Sequence, residues 1–285
     1  MPATGNNFKV HTIDLIDETF DVSQSVNYSL CLQIASKGIS FCVLDTLTGK
    51  YIVLRHYPCE TGSDFMAFCS KIFDEDELLR LTYKSSRFLQ VSERSTLVPA
   101  PLFAEKEAEN ILNFNHGKRE DELTLFRYLP SAQAYSIFSV PAPLHSLLQK
   151  YQPGIQCFHH SQPLIEWSIE KNKSLSFFIY NDNMDIVILR DGRFIFYNSY
   201  HLLAPADAVY FLAGALNAFG LSINATELVY AGASADVSDC IELIKPFCSR
   251  ITEIEPSNAR IYSYYINETL RKQFIHLFNL HECVS

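Results

Sequence analysis

The sequence predicts an α/β fold built from two similar domains, each with a mixed β-sheet and flanking helices. The main observation is an internal repeat: a three-stranded meander over residues 29–54 recurs over residues 174–197, at an offset of 145 residues up to the second turn and 143 after it. In each copy a short turn joins two strands and a glycine turn leads to the third strand. Helical and strand patterns alternate after each meander, which is typical of a mixed sheet covered by helices. We therefore expect two βββαβαβ units that face each other across a cleft.

The elements of the first half follow from local patterns. His11–Ile16 alternates like an edge strand, and residues 64–73 carry apolar side chains at helical spacing behind Ser63 or Asp64, either of which is a suitable N-cap. The remaining predicted elements are a strand at 87–92, an extended segment at 96–101, helices at 103–114, 143–151 and 163–170, and a short strand at 155–159. Residues 122–140 predict an inserted strand pair.

The second half begins after the polar segment Lys171–Lys173, where we place the domain boundary. The first domain then covers residues 1–170 and the second covers 171–285. Behind the second meander we expect a helix at 205–219, a strand at 227–231, a helix that ends near Lys245 and a strand at 251–254. Residues 264–280 predict a terminal helix. It either packs back on the first domain, which we favour, or forms a docking surface.

Composition narrows the classes of function. The net charge of −9 argues against nucleic-acid and anionic-membrane partners, since phosphate neutralisation needs clustered Lys and Arg. The eight cysteines are scattered without a CxxC pair, the chain starts without a signal-peptide pattern, and no apolar run reaches the roughly 18 residues of a spanning helix. We expect a cytoplasmic protein without direct membrane insertion. No sequence feature fixes an oligomeric state.

The region between the two meanders carries a resemblance to a known superfamily. Ser139–Tyr151, followed by Gly154–Cys157 and Pro163–Trp167, resembles the stretch that leads into the second domain of pilus-assembly and type II secretion actin-like proteins. Residues 190–197 also resemble theirs. With the repeat, the chain is similar to an uncharacterised family of Bacteroidetes bacteria in the actin-like ATPase superfamily. The resemblance implies duplicated ribonuclease H-like domains and covers residues 28–255.

The same resemblance locates two phosphate loops and shows that both depart from the pattern. Active members have an Asp at the end of each domain's first strand, then glycines that let backbone N–H groups approach phosphate. Here Gln33 and Phe178 stand at the Asp positions, and Tyr180, Asn181 and Asp182 replace the glycines of the second loop. We therefore expect no bound cofactor, and ATP with Mg²⁺ is disfavoured.

Two functions remain open. The first is a non-catalytic actin-like scaffold or adaptor that binds a protein partner, with no nucleic acid involved. The second is a nucleotide or phosphometabolite sensor, or an enzyme, with a rebuilt cleft in which Lys37 neutralises phosphate. The cleft candidates are Gln33, Ser36, Lys37, Asn181, Asp182, Asn183, Gly232 and Ser234. Gly232 follows Ala231 in a segment that resembles the adenosine-binding turn, although a glycine that simply ends a strand explains it as well.

The histidine and cysteine patterns predict no metal site. In Cys157–His160 the two consecutive histidines point to opposite faces of a strand, so we favour a surface or strand-end role. His276, His281 and Cys283 lie near the end of the sequence, where we expect a frayed segment.

Overall fold

The structure is a computed structural model. It describes residues 13–60, 62–180, 182–232, 235–254 and 260–283. Two large sheets and one small sheet carry eight α-helices within these residues. The strands are β1 Ile13–Ile16, β2 Tyr28–Ala35, β3 Gly38–Asp45, β4 Lys50–Pro58, β5 Ser85–Gln90, β6 Ser95–Pro99, β7 Glu122–Leu129, β8 Ala134–Pro141, β9 Gln156–His159, β10 Leu175–Tyr180, β11 Asn183–Arg190, β12 Arg193–His201, β13 Leu228–Gly232, β14 Ile251–Glu253 and β15 Ile261–Tyr262. The helices are α1 Phe65–Glu75, α2 Ala108–His116, α3 Ala142–Tyr151, α4 Ser161–Glu170, α5 Ala206–Ala218, α6 Ala235–Ile244, α7 Glu268–Gln273 and α8 Ile275–Asn279.

The first sheet has the order β1-β4-β3-β2-β5-β9. The meander strands β2, β3 and β4 are antiparallel, while β5 and β9 continue the sheet in parallel. Helices α1 and α3 pack beside one another and their apolar residues share one core with β2–β4. Asp64 caps α1 by accepting hydrogen bonds from the backbone N–H groups of Met66 and Ala67, as its position in the sequence predicts.

The second sheet repeats this arrangement, with the order β12-β11-β10-β13-β14 corresponding to β4-β3-β2-β5-β9. The repeat includes a local irregularity. The β3–β4 register shifts between Val43 and Leu44, and the β11–β12 register shifts between Ile188 and Leu189, at the same offset of 145 residues. The predicted α/β fold with a duplicated mixed sheet is therefore confirmed. The division of the chain after residue 170 stays a prediction.

The strand pair at 122–140 belongs to a small antiparallel sheet with the order β6-β8-β7. Its helix is shorter than the sequence pattern indicates. Residues 105–107 form a 3-10 turn, and α2 begins only at Ala108. A core of Val98, Ala108, Leu112 and Ile137 lies between α2 and the small sheet.

The C-terminal residues return to the first sheet. Strand β15 pairs with Lys50 and Tyr51 of β4, and the Tyr51 hydroxyl donates a hydrogen bond to the backbone oxygen of Phe278. The apolar residues of α7, α8 and the segments around them cover one face of the first sheet, forming what we call the C-terminal cluster: Cys31, Cys42, Leu44, Tyr51, Leu54, Leu89, Phe158, Ile266, Phe274, Leu277, Phe278 and Leu280.

The single terminal helix predicted at 264–280 is wrong. The helix is broken at Phe274, whose backbone φ of −107° and ψ of 30° separate α7 from α8. Phe274 packs in the C-terminal cluster, whereas its neighbour Ile275 packs with residues of α4 and the second sheet. The helix is thus interrupted at the point where consecutive side chains enter two different cores. The expected frayed end is also wrong for the described residues, since His276 and Cys283 are buried.

Candidate functional site

The two hairpin turns that correspond to phosphate loops meet in the cleft between the large sheets. Lys37 follows β2 and Asp182 follows β10. The Lys37 Nζ atom lies 3.3 Å from the Asp182 Oδ1 atom, with 55% and 56% of the two side chains exposed. The offset between them is that of the internal repeat, so residues at equivalent positions carry opposite charges and bridge the cleft. The structure thus brings together two of the residues predicted from the sequence.

Neither strand end offers a carboxylate. Phe178 is 2% exposed and packs edge-on against Trp167, with 6.2 Å between ring centroids. Gln33 is half-buried, and its Oε1 atom has no hydrogen-bond partner among the described residues. Divalent cations such as Mg²⁺ are held by carboxylates that offset their charge. The neutral amide of Gln33 and the phenyl ring of Phe178 cannot offset the charge of Mg²⁺.

A buried histidine–carboxylate cluster lies beside the turns. His160 at the start of α4 and Asp185 on β11 are both fully buried, and the His160 Nε2 atom lies 2.8 Å from the Asp185 Oδ2 atom. The hydroxyls of Tyr180 and Tyr197 donate to Asp185 Oδ1 over 3.3 and 3.2 Å. The Ser92 N–H donates to His160 Nδ1, which assigns the imidazole proton to Nε2. We call His160, Tyr180, Asp185 and Tyr197 the histidine–tyrosine cluster.

The electrostatics of this cluster keep its tyrosines protonated. Burial, followed by the negative charge of Asp185, raises the pKa of Tyr180 and of Tyr197 well above the usual value. Both hydroxyls are therefore hydrogen-bond donors at neutral pH. Asp185 Oδ1 accepts from both tyrosine hydroxyls. His160 Nε2 lies beside Oδ2 and is also 2.6 Å from the Tyr180 hydroxyl. The polar contacts of the cluster connect β10, β11 and β12 to the start of α4.

A pocket of 190 Å³ opens between these features. His56 and His276 of α8 both line it, and the His56 Nδ1 atom is 2.8 Å from the Ser40 hydroxyl. Burial lowers the pKa of His56, and burial together with the nearby His160 lowers the pKa of His276 to about 3. Both imidazoles are neutral at physiological pH, so they add no positive charge to the pocket.

The remaining predicted site residues are spread around the cleft. Ser36 is exposed in the first turn, and Asn183 begins β11 with its Oδ1 atom buried and without a partner among the described residues. Asn181 and Ser234 lie outside the described residues. Gly232 ends β13 in close contact with β10, because a Cβ atom there would lie 2.5 Å from both the Ile179 backbone oxygen and the Val237 Cγ2 atom. This glycine therefore permits close packing of the protein on itself.

The histidine–tyrosine cluster and the place of His276 in the pocket are not predicted by the sequence patterns. The surface position suggested for His159 and His160 is wrong, since both are fully buried, although the strand-end position is correct. The two residues occupy the junction between the large sheets, which local patterns do not reveal. Across the described ranges, no group of three or more His, Cys, Asp or Glu side chains is arranged to hold a metal ion.

The family is decided by a comparison of the sequence with family profiles. The DUF3822 profile, described as a protein of unknown function, matches residues 17–251. The chain belongs to the DUF3822 family. No curated protein sequence matches this DUF3822 member. Among the helices that the structure describes, none combines the length and the apolar character required to span a bilayer.

Solved structures show which fold this DUF3822 member has. A Bacteroides thetaiotaomicron protein with an actin-like ATPase fold and unknown function is 22% identical, covering 93% of this chain and 99% of its own, with a TM-score of 0.82. The PilM–PilN type IV pilus biogenesis complex contains a chain that is 12% identical, covering 92% of this chain and 99% of its own, with a TM-score of 0.59. The ethanolamine utilization protein EutJ from Carboxydothermus hydrogenoformans is 7% identical, covering 89% of this chain and 88% of its own, with a TM-score of 0.50. The fold is the actin-like ATPase fold.

Proposed function

We propose that this DUF3822 member is a non-catalytic actin-like protein that acts in the bacterial cytoplasm as a scaffold or adaptor for a protein partner. The observation that carries the proposal is that Gln33 and Phe178 stand at the two strand ends where a carboxylate would hold Mg²⁺. The Lys37–Asp182 ion pair joins the two hairpin turns beside them. The eight cysteines are scattered along the sequence without a CxxC pair, which supports a reducing compartment.

The ion pair alone is too weak to exclude a nucleotide. An exposed pair contributes about 0–1 kcal/mol, which a bound triphosphate overcomes easily. The stronger argument is that the residues which would hold Mg²⁺ are absent, since Gln33 is neutral and Phe178 is apolar. The nearby carboxylate of Asp185 is fully buried beside His160 and accepts hydrogen bonds from two tyrosine hydroxyls. These features together support a protein that does not turn over ATP.

A groove lined by two edge strands supports the proposal of a protein partner. Strand β6 is an edge of the small sheet and β12 is an edge of the second sheet. Consecutive residues 194–199 of β12 line the groove opposite residues 95–97 of β6. Side chains alternate between the two faces of a strand, so a groove lined by consecutive residues follows the strand edge. Unpaired backbone groups at such an edge can accept an extended peptide as an added strand. Of the similar structures, PilM occurs in a complex with PilN.

The catalytic half of the proposal is tested by measuring phosphate release from ATP with and without Mg²⁺. We expect no Mg²⁺-dependent turnover from the purified chain. Lys37→Ala is a useful companion variant, because it removes the ion pair without supplying a metal ligand, and it should also be inactive. Magnesium-dependent turnover that is lost in Gln33→Ala would overturn the proposal.

The adaptor half is tested by quantitative affinity capture from bacterial cells, followed by reconstitution of the captured partner with purified protein. Asn198→Lys places a charge on the exposed edge of β12 and should weaken the reconstituted complex at least tenfold. Asn217→Lys places the same charge on an exposed position of α5, away from the groove, and should leave affinity unchanged. Equal affinity of both variants would remove the groove as the binding surface, and an absence of any reconstituted partner would contradict the adaptor function.

A further inference from the structure

The 190 Å³ pocket beside the first hairpin turn has two polar atoms without partners. Gln33 Oε1 and His276 Nδ1 are both buried, and neither has a hydrogen-bond partner among the described residues. Both residues line this pocket. Buried polar atoms in native proteins nearly always have a partner, and the exceptions indicate water, an ion or a ligand.

The charge in the pocket does not favour an anion. Lys37 lines the pocket, and the carboxylate of Asp182, 3.3 Å from its ammonium group, offsets its charge, so the two together bring no net positive charge. His56 and His276 are neutral at physiological pH because burial lowers the pKa of each. The third histidine, His160, is held by Asp185. A phosphate would therefore be desolvated here without a free positive charge to compensate it.

Several aromatic rings line the pocket. His56 lies 5.8 Å from Phe274, and Tyr180 lies 5.8 Å from His276, measured between ring centroids. Aromatic walls favour flat ligands that pack by stacking or edge contacts. A cavity of about 150 Å³ holds benzene, so 190 Å³ is sufficient for one ring or a small fused ring system.

We propose that this pocket binds an uncharged planar heterocycle, of the class of a free nucleobase, whose ring N–H donates to Gln33 Oε1 and whose second polar atom pairs with His276 Nδ1. The ligand class differs from the phosphates expected of this cleft and follows from unpaired polar atoms between aromatic walls. The site adds a small-molecule input to a protein proposed as an adaptor, and it does not depend on the adaptor function.

The test is a titration of the purified full chain with adenine, uracil and nicotinamide, each at millimolar concentration, by ligand-observed NMR and calorimetry. Inorganic phosphate and Mg²⁺–ATP serve as charged probes. We expect at least one heterocycle to bind and neither charged probe to displace it. Gln33→Leu should weaken binding at least tenfold, and Gln33→Glu, which keeps the size of the side chain, guards against a folding defect in the first variant.

Gln90→Leu is the matched control. Gln90 lies on the neighbouring strand β5, its Oε1 atom is also buried without a partner, and it does not line this pocket. The Gln90→Leu variant should bind the heterocycle with the same affinity as the unmodified chain. Failure of all three heterocycles to bind would overturn the proposal, as would equal binding by Gln33→Leu. Displacement by inorganic phosphate would identify an anion site instead. None of these results bears on ATP turnover or on partner binding, so the two proposals fail separately.

Discussion

Substitution of Asp185 by alanine should strongly destabilise the junction between the two large sheets. The carboxylate is fully buried and takes part in three polar contacts, with His160 Nε2 at 2.8 Å and with the hydroxyls of Tyr180 and Tyr197 at 3.3 and 3.2 Å. In Asp185→Ala the two tyrosine hydroxyls lose their carboxylate acceptor, and His160 loses its acidic neighbour, while all three groups stay buried. Breaking a buried pair by removing one partner costs about 3–5 kcal/mol, and we expect a loss of unfolding free energy in this range.

The assay is urea unfolding monitored by the fluorescence of Trp167, the single tryptophan of the chain. Trp167 is a sensitive reporter because it lies in α4, is 5% exposed and packs against Phe178 of the second sheet. Far-UV circular dichroism on the same samples checks whether the two lobes unfold together. Asp182→Ala is the control, since it removes an exposed carboxylate and should cost about 1 kcal/mol or less. If Asp185→Ala loses no more stability than this control, the histidine–tyrosine cluster does not stabilise the junction.

Three further predictions concern other parts of the fold. Gly232→Ala should destabilise the protein by about 1–3 kcal/mol in the same assay, because its Cβ atom would overlap the Ile179 backbone oxygen, and an unchanged midpoint would contradict this packing. Asp64→Ala should cost about 1 kcal/mol through the loss of the α1 cap, whereas Asp64→Asn should restore most of it. Burial, then the nearby His160, lowers the pKa of His276 to about 3, while an unfolded imidazole titrates near 6.5. The unfolded state therefore binds a proton that the folded state does not, so stability falls as the pH drops from about 6.5 towards 3. In His276→Phe the fall should be shallower by up to about 1.4 kcal/mol per pH unit, and identical pH profiles would refute the assignment.

The meanders could be predicted from the sequence because each is local. Their strands follow one another, and the turns at Gly49 and Gly192 have positive φ, which glycine adopts without strain. Because the meander occurs twice, the strand positions in one copy can be checked against those in the other. The Asp64 cap was predictable for the same reason, since its partners are two and three residues away.

The candidate site was only partly predictable because its contacts cross the junction between the sheets. Lys37 and Asp182 were selected one at a time from their turns, and nothing in the sequence shows that they meet. His160 and Asp185 lie on different elements, and their contact depends on how α4 sits against the second sheet. The break at Phe274 escaped detection because the spacing of apolar residues continues through it, while the two cores that they enter are visible only in three dimensions.

The C-terminal cluster has a consequence for synthesis on the ribosome. Strands β2 to β4 are complete once residue 58 has emerged, but the residues that cover one of their faces are 266–280. At about 5–20 residues per second, the intervening chain takes on the order of 10–40 seconds to translate. During that time the first lobe presents an uncovered face with Cys31, Cys42 and Leu54 on it. The described strands of the second sheet end at residue 253, ahead of residues 266–280, so this face of the first lobe is covered only after the second sheet has been synthesised.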